Sequence, residues 1–191
     1  MINDTRKVIL INTPCYKILD DNIEPPIGLL YIQSFLLDEG IDCELYDMAV
    51  SKNTIENIPK ADIYGFSTYT NNFYTSCTTA KYLKDKYPES TTVAGGYHVS
   101  SVVYDGFKNF DITVVGEGEK AMRSIVVDTH HYKNFDQVID GECFNYLDDL
   151  PYPRYDKINI NDYTREVDGN KVLSVVCSRG CTQNCSFCNS I

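Results

Sequence analysis

Short β-branched, apolar runs alternate with segments of helical length along the first two thirds of this chain, and this alternation limits the folds open to it. Five runs have the composition of buried strands: residues 8–12, 42–46, 63–67, 91–94 and 112–115. Helices are predicted over 27–37, after two prolines and before Gly40, and over 73–87, ending at Pro88. Short links between such elements predict an α/β fold, a doubly wound parallel sheet over about residues 5–130.

The loops that follow the predicted strands are the candidate ligand-binding segments. In an open parallel sheet, ligands bind beyond the carboxyl ends of the strands. The loops expected there are 13–15, 68–72, 95–98 and 116–119. Three of them are rich in glycine or small polar residues, which allow a ligand to approach the backbone closely.

Charge and hydropathy exclude several functional classes. The chain has 27 acidic and 17 basic residues, a formal charge of −10, which argues against electrostatic binding to nucleic acid or an anionic membrane. The sequence shows no signal peptide and no apolar run of about 18 residues, so we expect a cytoplasmic protein. In a reducing compartment, closely spaced cysteines are more often metal ligands than disulfides.

The last third of the chain differs in composition from the first two. After a polar, aromatic stretch with prolines at 151 and 153, residues 171–176 have the composition of a new strand. We therefore expect a domain over 1–130, a linker over 131–170 and the start of a second domain over 171–191.

Four of the eight cysteines lie in the last fifteen residues. Cys181, Cys185 and Cys188 form a C-x3-C-x2-C pattern directly after the predicted strand. Three thiolates on one loop can bind three corners of an iron-sulfur cube and leave the fourth iron open for another ligand. Cys177 offers a fourth thiolate, so a structural zinc site is an alternative, and a chance grouping of reduced cysteines is another.

Five segments, in order along the chain, resemble the radical S-adenosylmethionine superfamily, in the branch with an N-terminal cobalamin-binding domain. They are PPIGLLY at 25–31, AGGYH at 94–98, VVGEGE at 114–119, LDDLPYP at 147–153 and SRGCTQNCSFC at 178–188. The resemblance implies a Rossmann-like cobalamin-binding domain, followed by the first strand of an incomplete radical S-adenosylmethionine barrel.

The resemblance also implies the role of the cysteine triad. In the family, three cysteines, here Cys181, Cys185 and Cys188, hold a 4Fe-4S cluster whose open iron binds S-adenosylmethionine. The reduced cluster cleaves that cofactor to a radical, with an electron from a reductant such as flavodoxin or ferredoxin. Phe187 packs by the adenine in this interpretation; as an alternative, it is an apolar plug of the loop.

For cobalamin, the resemblance selects small and aromatic residues at the strand ends. The implied cofactor-binding residues are Thr13, Ser67, Thr68, Tyr69, Gly95, Gly96, Tyr97, Gly116 and Glu117. Residues 12–17 contain no histidine, so cobalamin is expected to bind without a histidine of this loop on cobalt. Simpler roles stay open: Gly95 and Gly96 as a tight turn, Tyr69 and Tyr97 as caps of the core.

Several other reactive side chains are expected to have structural rather than chemical roles. Glu117 and Glu119 are expected to begin the helix after the fifth strand, and His98 to form loop hydrogen bonds. The scattered cysteines, expected to be small buried residues, are Cys15, Cys43, Cys77 and Cys143.

The resemblance implies the N-terminal part of a cobalamin-dependent radical enzyme for methylation or rearrangement. A radical S-adenosylmethionine barrel needs several strand-helix units after the cysteine loop, and residues 171–191 contain only the first. The alternative is a truncated, non-catalytic module that binds cobalamin or another nucleotide-like ligand.

Overall fold

Six parallel strands form the central sheet of the computed structural model, which describes residues 6–15, 20–50, 52–134, 137–183, 185–186 and 188. The strands are β1 (Val8–Asn12), β2 (Cys43–Asp47), β3 (Ile63–Ser67), β4 (Thr91–Gly95), β5 (Ile112–Gly116) and β6 (Val138–Gly141). Their order in the sheet is β2-β1-β3-β4-β5-β6. Asn12 pairs in register with Asp47 and with Ser67, and Ser67 pairs with Gly95, so the carboxyl ends of the first four strands lie level at one edge.

In the described part of the chain, six α-helices lie between these strands, and a 3-10 helix (Ile55–Asn57) lies between β2 and β3. The α-helices are α1 (Ile27–Asp38), α2 (Phe73–Lys86), α3 (Tyr97–Ser101), α4 (Val103–Asn109), α5 (Glu119–Val127) and α6 (Thr129–Asn134). Period-2 alternation in β1 divides the core: Val8 and Leu10 pack in one cluster with residues of α1 and α5, and Ile9 and Ile11 in another with residues of α2 and α3. The α/β, doubly wound parallel sheet predicted from the sequence is therefore confirmed.

The sheet extends past the boundary expected at residue 130. β6 pairs with β5, although it lies in the segment assigned to the linker. It has only four residues, alternately exposed and half-buried, and such a strand has too little apolar content to be recognised from sequence. The division into a domain, a linker and the start of a second domain otherwise stays a prediction.

The strand predicted over 171–176 is wrong for most of its length. Only Lys171 is in a strand, within an antiparallel hairpin of β7 (Glu166–Val167) and β8 (Asn170–Lys171). Asp168 and Gly169 form its turn with φ of 50° and 75°. In the described part of the chain, the N–H of Val172 still donates to the Arg165 carbonyl, and no strand follows it. A strand persists only where a neighbour satisfies its backbone hydrogen bonds.

The segment between β6 and this hairpin packs along the domain. Leu150 and Tyr163 are buried, and the Ser34 hydroxyl of α1 donates to the Tyr152 carbonyl at 2.7 Å. Among the described residues, no helix is both long and apolar enough to span a bilayer.

Candidate functional site

The loops after β3 and β4 are joined by backbone hydrogen bonds. The Thr68 N–H and hydroxyl both donate to the Gly95 carbonyl at 2.8 Å, and the His98 N–H donates to the Thr68 carbonyl at 3.0 Å. Thr68 is fully buried. Four of the predicted cofactor-binding residues, at 67–68 and 95–96, therefore lie in one tightly connected turn pair.

Gly96 allows this close approach. Its φ of 100° belongs to a region that other residues rarely adopt. A Cβ atom at this position would lie 2.7 Å from the Thr68 carbonyl oxygen and 2.8 Å from its nitrogen. The absence of a side chain at Gly96 therefore allows this turn to pack directly against the backbone of Thr68.

Asn72, directly before α2, connects the loops after β1 and β3. Its side-chain amide donates to the carbonyls of Thr13 at 3.2 Å and Ser67 at 3.3 Å, and its Oδ1 accepts from the Tyr69 N–H at 2.7 Å. The Thr13 and Ser76 hydroxyls lie 2.7 Å apart beside it. From the sequence, Asn72 was predicted only to end the loop over 68–72. Its position between a predicted strand and a predicted helix was the available signal for this connecting role.

This group of hydrogen-bonded polar side chains lies where the order of strands in the sheet reverses. The chain continues from β1 to β2 on one side of β1, and then returns to β3 on the other side. Such a switch point leaves a crevice between the two connections, the usual ligand-binding position in open α/β sheets. Thr13 and Asn72, which are buried, and the half-buried Ser67 lie at this switch point.

Tyr69 and Tyr97 lie at the same edge of the sheet, in the segments after β3 and β4. The rings of Tyr69 and Tyr97 lie 5.8 Å apart, and the residues are 46% and 67% exposed. Because they are largely exposed, they do not cap the core. Exposed aromatic surface at a switch point is typical of a ligand-binding site.

His98 has a structural role, as expected. Its ring packs 4.1 Å from the Phe73 ring, with Nδ1 3.1 Å from the Thr70 hydroxyl and Nε2 3.2 Å from an Asp105 carboxylate oxygen. Both ring nitrogens therefore have protein partners, and the side chain is only 10% exposed.

The β5 end of the edge is different, because it faces the C-terminal part of the chain. Gly116 has a φ of 85° and is exposed, and Glu119 begins α5 as expected. The carboxylates of Glu117 and Glu119 form ion pairs with Arg179. Glu117 as a cofactor-binding residue stays a prediction, and its carboxylate already has this partner.

The three motif cysteines are exposed. The Gln183 N–H donates to the Cys181 sulfur at 3.5 Å, and the Cys188 N–H to the Cys185 carbonyl at 3.0 Å. Over the described ranges, no three His, Cys, Asp or Glu side chains are grouped so as to hold a metal ion. Phe187 lies outside the described residues, so its predicted contact with adenine has no structural test.

The scattered cysteines follow the expectation only in part. Cys15 and Cys43 are buried and Cys77 is half-buried, but Cys143 is exposed. Burial raises the pKa of the Cys77 thiol to about 11, which keeps it protonated and unreactive at neutral pH.

Asp47, the last residue of β2, is a buried carboxylate that was not predicted from the sequence to have a role. Asp47 accepts hydrogen bonds at 2.8 Å from the Asn12 amide and the Tyr163 hydroxyl, and at 3.0 Å from the Ala49 N–H. Burial raises the pKa of Asp47, and these hydrogen bonds oppose that rise. The network anchors residue 163 to the sheet; the position of an aspartate directly after a strand was the only sequence signal.

This raised pKa predicts a pH-dependent stability. A carboxyl whose folded pKa exceeds its unfolded value contributes stability that is complete below the unfolded pKa and is lost as pH rises through the folded pKa. Compared with Asp47→Asn, the wild type should therefore lose unfolding free energy between about pH 4 and about pH 7. Urea unfolding at both pH values measures this, with exposed Asp85→Asn as the control. A difference that stays constant with pH would contradict the assignment.

Comparisons with known proteins agree with this geometry. A family model described as the B12 binding domain matches residues 20–126, more than half of the chain. A Pyrococcus horikoshii protein described as an uncharacterized methyltransferase is 27% identical over 96% of this chain. An anaerobic magnesium-protoporphyrin IX monomethyl ester cyclase of Synechocystis sp. is 25% identical over 94% of it. The chain spans 45% and 42% of the lengths of these relatives.

The fold has a counterpart among solved structures. OxsB, described as a cobalamin-dependent S-adenosylmethionine radical enzyme with aqua-cobalamin bound, superposes with a TM-score of 0.64 at 18% identity. The match covers 79% of this chain and 24% of OxsB. At this identity, the likeness shows the fold.

Proposed function

Because the chain belongs to the B12-binding domain family, we propose that it binds cobalamin at the edge formed by the loops after β1, β3 and β4. The observation that carries the proposal is the switch point between β1 and β3, where Asn72 ties the two strand ends together and Gly96 packs the loop after β4 against Thr68. Cobalamin has a flat corrin ring and a long nucleotide tail, and it needs both an apolar platform and a narrow slot.

The residues of this edge fit both parts of cobalamin. Thr13, Ser67, Gly95 and Gly96 border the slot and would hold the tail through backbone and hydroxyl groups. Tyr69 and Tyr97 supply exposed aromatic surface of the kind that packs on a flat ring. The proposed platform and slot are adjacent, since Tyr69 follows Thr68 and Tyr97 follows Gly96.

Cobalt would receive no histidine from this site. Residues 12–17 contain none. His98 is nearly buried, and both of its ring nitrogens have protein partners. The site would therefore hold cobalamin through the groups at the strand ends, without a histidine bound to cobalt.

We propose further that Cys181, Cys185 and Cys188 hold a 4Fe-4S cluster that binds S-adenosylmethionine. Three exposed thiols within eight residues would supply the ligands, and an N–H directed at a thiolate sulfur, like that of Gln183 toward Cys181, is a common way to tune such clusters. When bound, the cluster and S-adenosylmethionine would supply the radical chemistry. The chain itself would hold the ligands and keep the two cofactors at one edge.

In this proposal, the chain is the cobalamin-binding part of a radical enzyme that methylates or rearranges its substrate. Support comes from the descriptions of the relatives, one a methyltransferase and one a cyclase. The electron would come from a cytoplasmic reductant such as flavodoxin or ferredoxin.

The proposed corrin platform is tested by removing its aromatic rings. The double variant Tyr69→Ala, Tyr97→Ala should bind hydroxocobalamin at least about tenfold more weakly in equilibrium dialysis, because each ring contributes on the order of 1 kcal/mol of apolar contact. Tyr152→Ala, at a tyrosine that is 91% exposed, is the matched control and should bind as the wild type does. Equal affinities for all three proteins would remove the platform from the proposed site.

A further inference from the structure

Arg179, two residues before the first motif cysteine, reaches back to the α/β domain. Its Nη2 lies 2.8 Å from Glu119 Oε1, and its Nη1 lies 3.3 Å from Glu117 Oε2. The guanidinium carbon lies 4.8 Å from the centre of the Tyr31 ring, on α1. Two segments that the sequence analysis treated separately, VVGEGE and SRGC, therefore meet in space.

The contact is largely removed from water. The side chains of Arg179, Glu117 and Glu119 are 22%, 19% and 3% exposed. A buried carboxylate is costly without a cation, and no other ion pair in the described part of the chain involves Glu117 or Glu119. The two carboxylates thus form a receptor that favours a cation.

The shape of the receptor favours arginine over lysine. A planar guanidinium can engage two carboxylates with two different nitrogens while its face lies on an aromatic ring. Arg179 does all three in this structure. An ammonium group has three donors and could also bridge the two carboxylates, but it has no planar face to stack on the Tyr31 ring.

The receptor belongs to the same edge as the proposed cobalamin site. Glu117 follows Gly116, the last residue of β5, and the Gly116 N–H donates to the Ser100 hydroxyl of α3 at 3.0 Å. α3 begins at Tyr97, one of the two proposed platform tyrosines. Two residues of chain reach at most about 7 Å, so an Arg179 held here keeps Cys181 close to this edge.

We propose that Arg179 is a positioning residue: its contacts with Glu117, Glu119 and Tyr31 fasten the cysteine loop to the carboxyl edge of the sheet, beside the cobalamin site. The latch, as we name these four residues, is a feature of the chain itself. Its consequence for cofactor spacing rests on the proposed function.

Backbone dynamics of the chain without cofactors test the latch directly. In the wild type, the amides of 177–181 should have NMR order parameters close to those of rigid backbone, about 0.85, and in Arg179→Gln these should fall below about 0.6. The order parameters of β1 and β3 should stay unchanged, and Arg179→Lys should fall between the two. Arg154→Gln, which breaks an exposed pair with Asp156, is the control and should leave 177–181 unchanged. Unchanged order parameters at 177–181 in Arg179→Gln would overturn the proposal.

A second variant keeps the test valid if Arg179→Gln is poorly folded. Arg179→Gln leaves a buried charge at Glu119, whereas the double variant Arg179→Gln, Glu119→Gln does not. The double variant should melt close to the wild type and still show the lower order parameters at 177–181. Order parameters equal to those of the wild type in this variant would overturn the latch.

A spectroscopic measurement then tests the consequence for spacing. In the protein loaded with cob(II)alamin and a reduced iron-sulfur cluster, magnetic coupling between the two centres should broaden the cobalt signal in the wild type and decrease in Arg179→Gln. Equal coupling in both would overturn the positioning role. A wild type that takes up neither cofactor would refute the proposed function and leave the NMR result on the latch intact.

Discussion

Gly96→Ala is expected to lower the affinity for cobalamin at least about tenfold and the free energy of unfolding by about 2–4 kcal/mol. Gly96 has a φ of 100° and a ψ of −178°, a region that is almost exclusive to glycine. The added Cβ would also lie 2.7 Å from the Thr68 carbonyl oxygen. Thr68 cannot move aside freely, because its N–H and carbonyl are bonded to Gly95 and His98.

Gly28→Ala is the matched control for this experiment. Gly28 lies in the first turn of α1, and a Cβ there would meet no atom within 4 Å. Alanine is the better helix former, so this variant should gain up to about 1 kcal/mol and keep its affinity. Urea unfolding and equilibrium dialysis with hydroxocobalamin measure both effects. Wild-type affinity in Gly96→Ala would show that the turn after β4 does not form the cofactor slot.

Replacing Cys181, Cys185 and Cys188 together by alanine is expected to abolish iron binding. Anaerobic reconstitution of the wild type with iron and sulfide should give about four irons per chain and a broad absorption at about 400 nm. The triple variant has no thiolates left to hold the cluster. Because all three cysteines are exposed, the substitutions should leave the unfolding of the α/β domain unchanged.

Cys177 separates the cluster from the zinc alternative. It is also exposed, and it lies only four residues before Cys181. A cluster held by the triad predicts that Cys177→Ala keeps its iron, whereas a four-cysteine zinc site predicts that this variant loses its metal. Cys143→Ala, at an exposed cysteine far from the motif in sequence, controls for nonspecific binding. Equal iron uptake by the triple variant would refute the cluster assignment.

The fold was predictable because its signals are local. β1, β3 and β4 are short runs bounded by polar or turn residues and buried over four of their five positions, as strands inside a parallel sheet are. The resemblance to cobalamin-binding radical S-adenosylmethionine proteins, carried by five short segments, is confirmed. The grouping of Thr13, Ser67 and Gly95 at one edge followed from topology alone.

One missed element did have a local signal. Asp168-Gly169 is the dipeptide that most favours a two-residue hairpin turn, and it connects β7 to β8. The apolar run that follows it, over 171–176, is the stronger strand signal in composition. That run forms no strand in the described part of the chain, because local composition favours an extended backbone but does not supply a pairing partner.

The remaining contacts could not be predicted from spacing. Tyr163 reaches Asp47 across 116 positions of sequence. Arg179 likewise joins Glu117 and Glu119, more than fifty residues earlier in the chain. Neither pair is set by a helical or strand period, and each depends on how the last third of the chain lies on the domain. A charged residue next to a metal-binding motif would be assigned to that motif from sequence alone.

The spectrum of the chain, purified anaerobically from cobalamin-replete cells, tests the central claim most directly. We predict about one cobalamin per chain, with a cob(II)alamin EPR signal that lacks splitting from a histidine nitrogen, because His98 is engaged and residues 12–17 contain no histidine. A chain that retains no cobalamin, even after incubation with hydroxocobalamin at micromolar concentration, would contradict the claim. A cobalt signal split by a histidine nitrogen would contradict the proposed site.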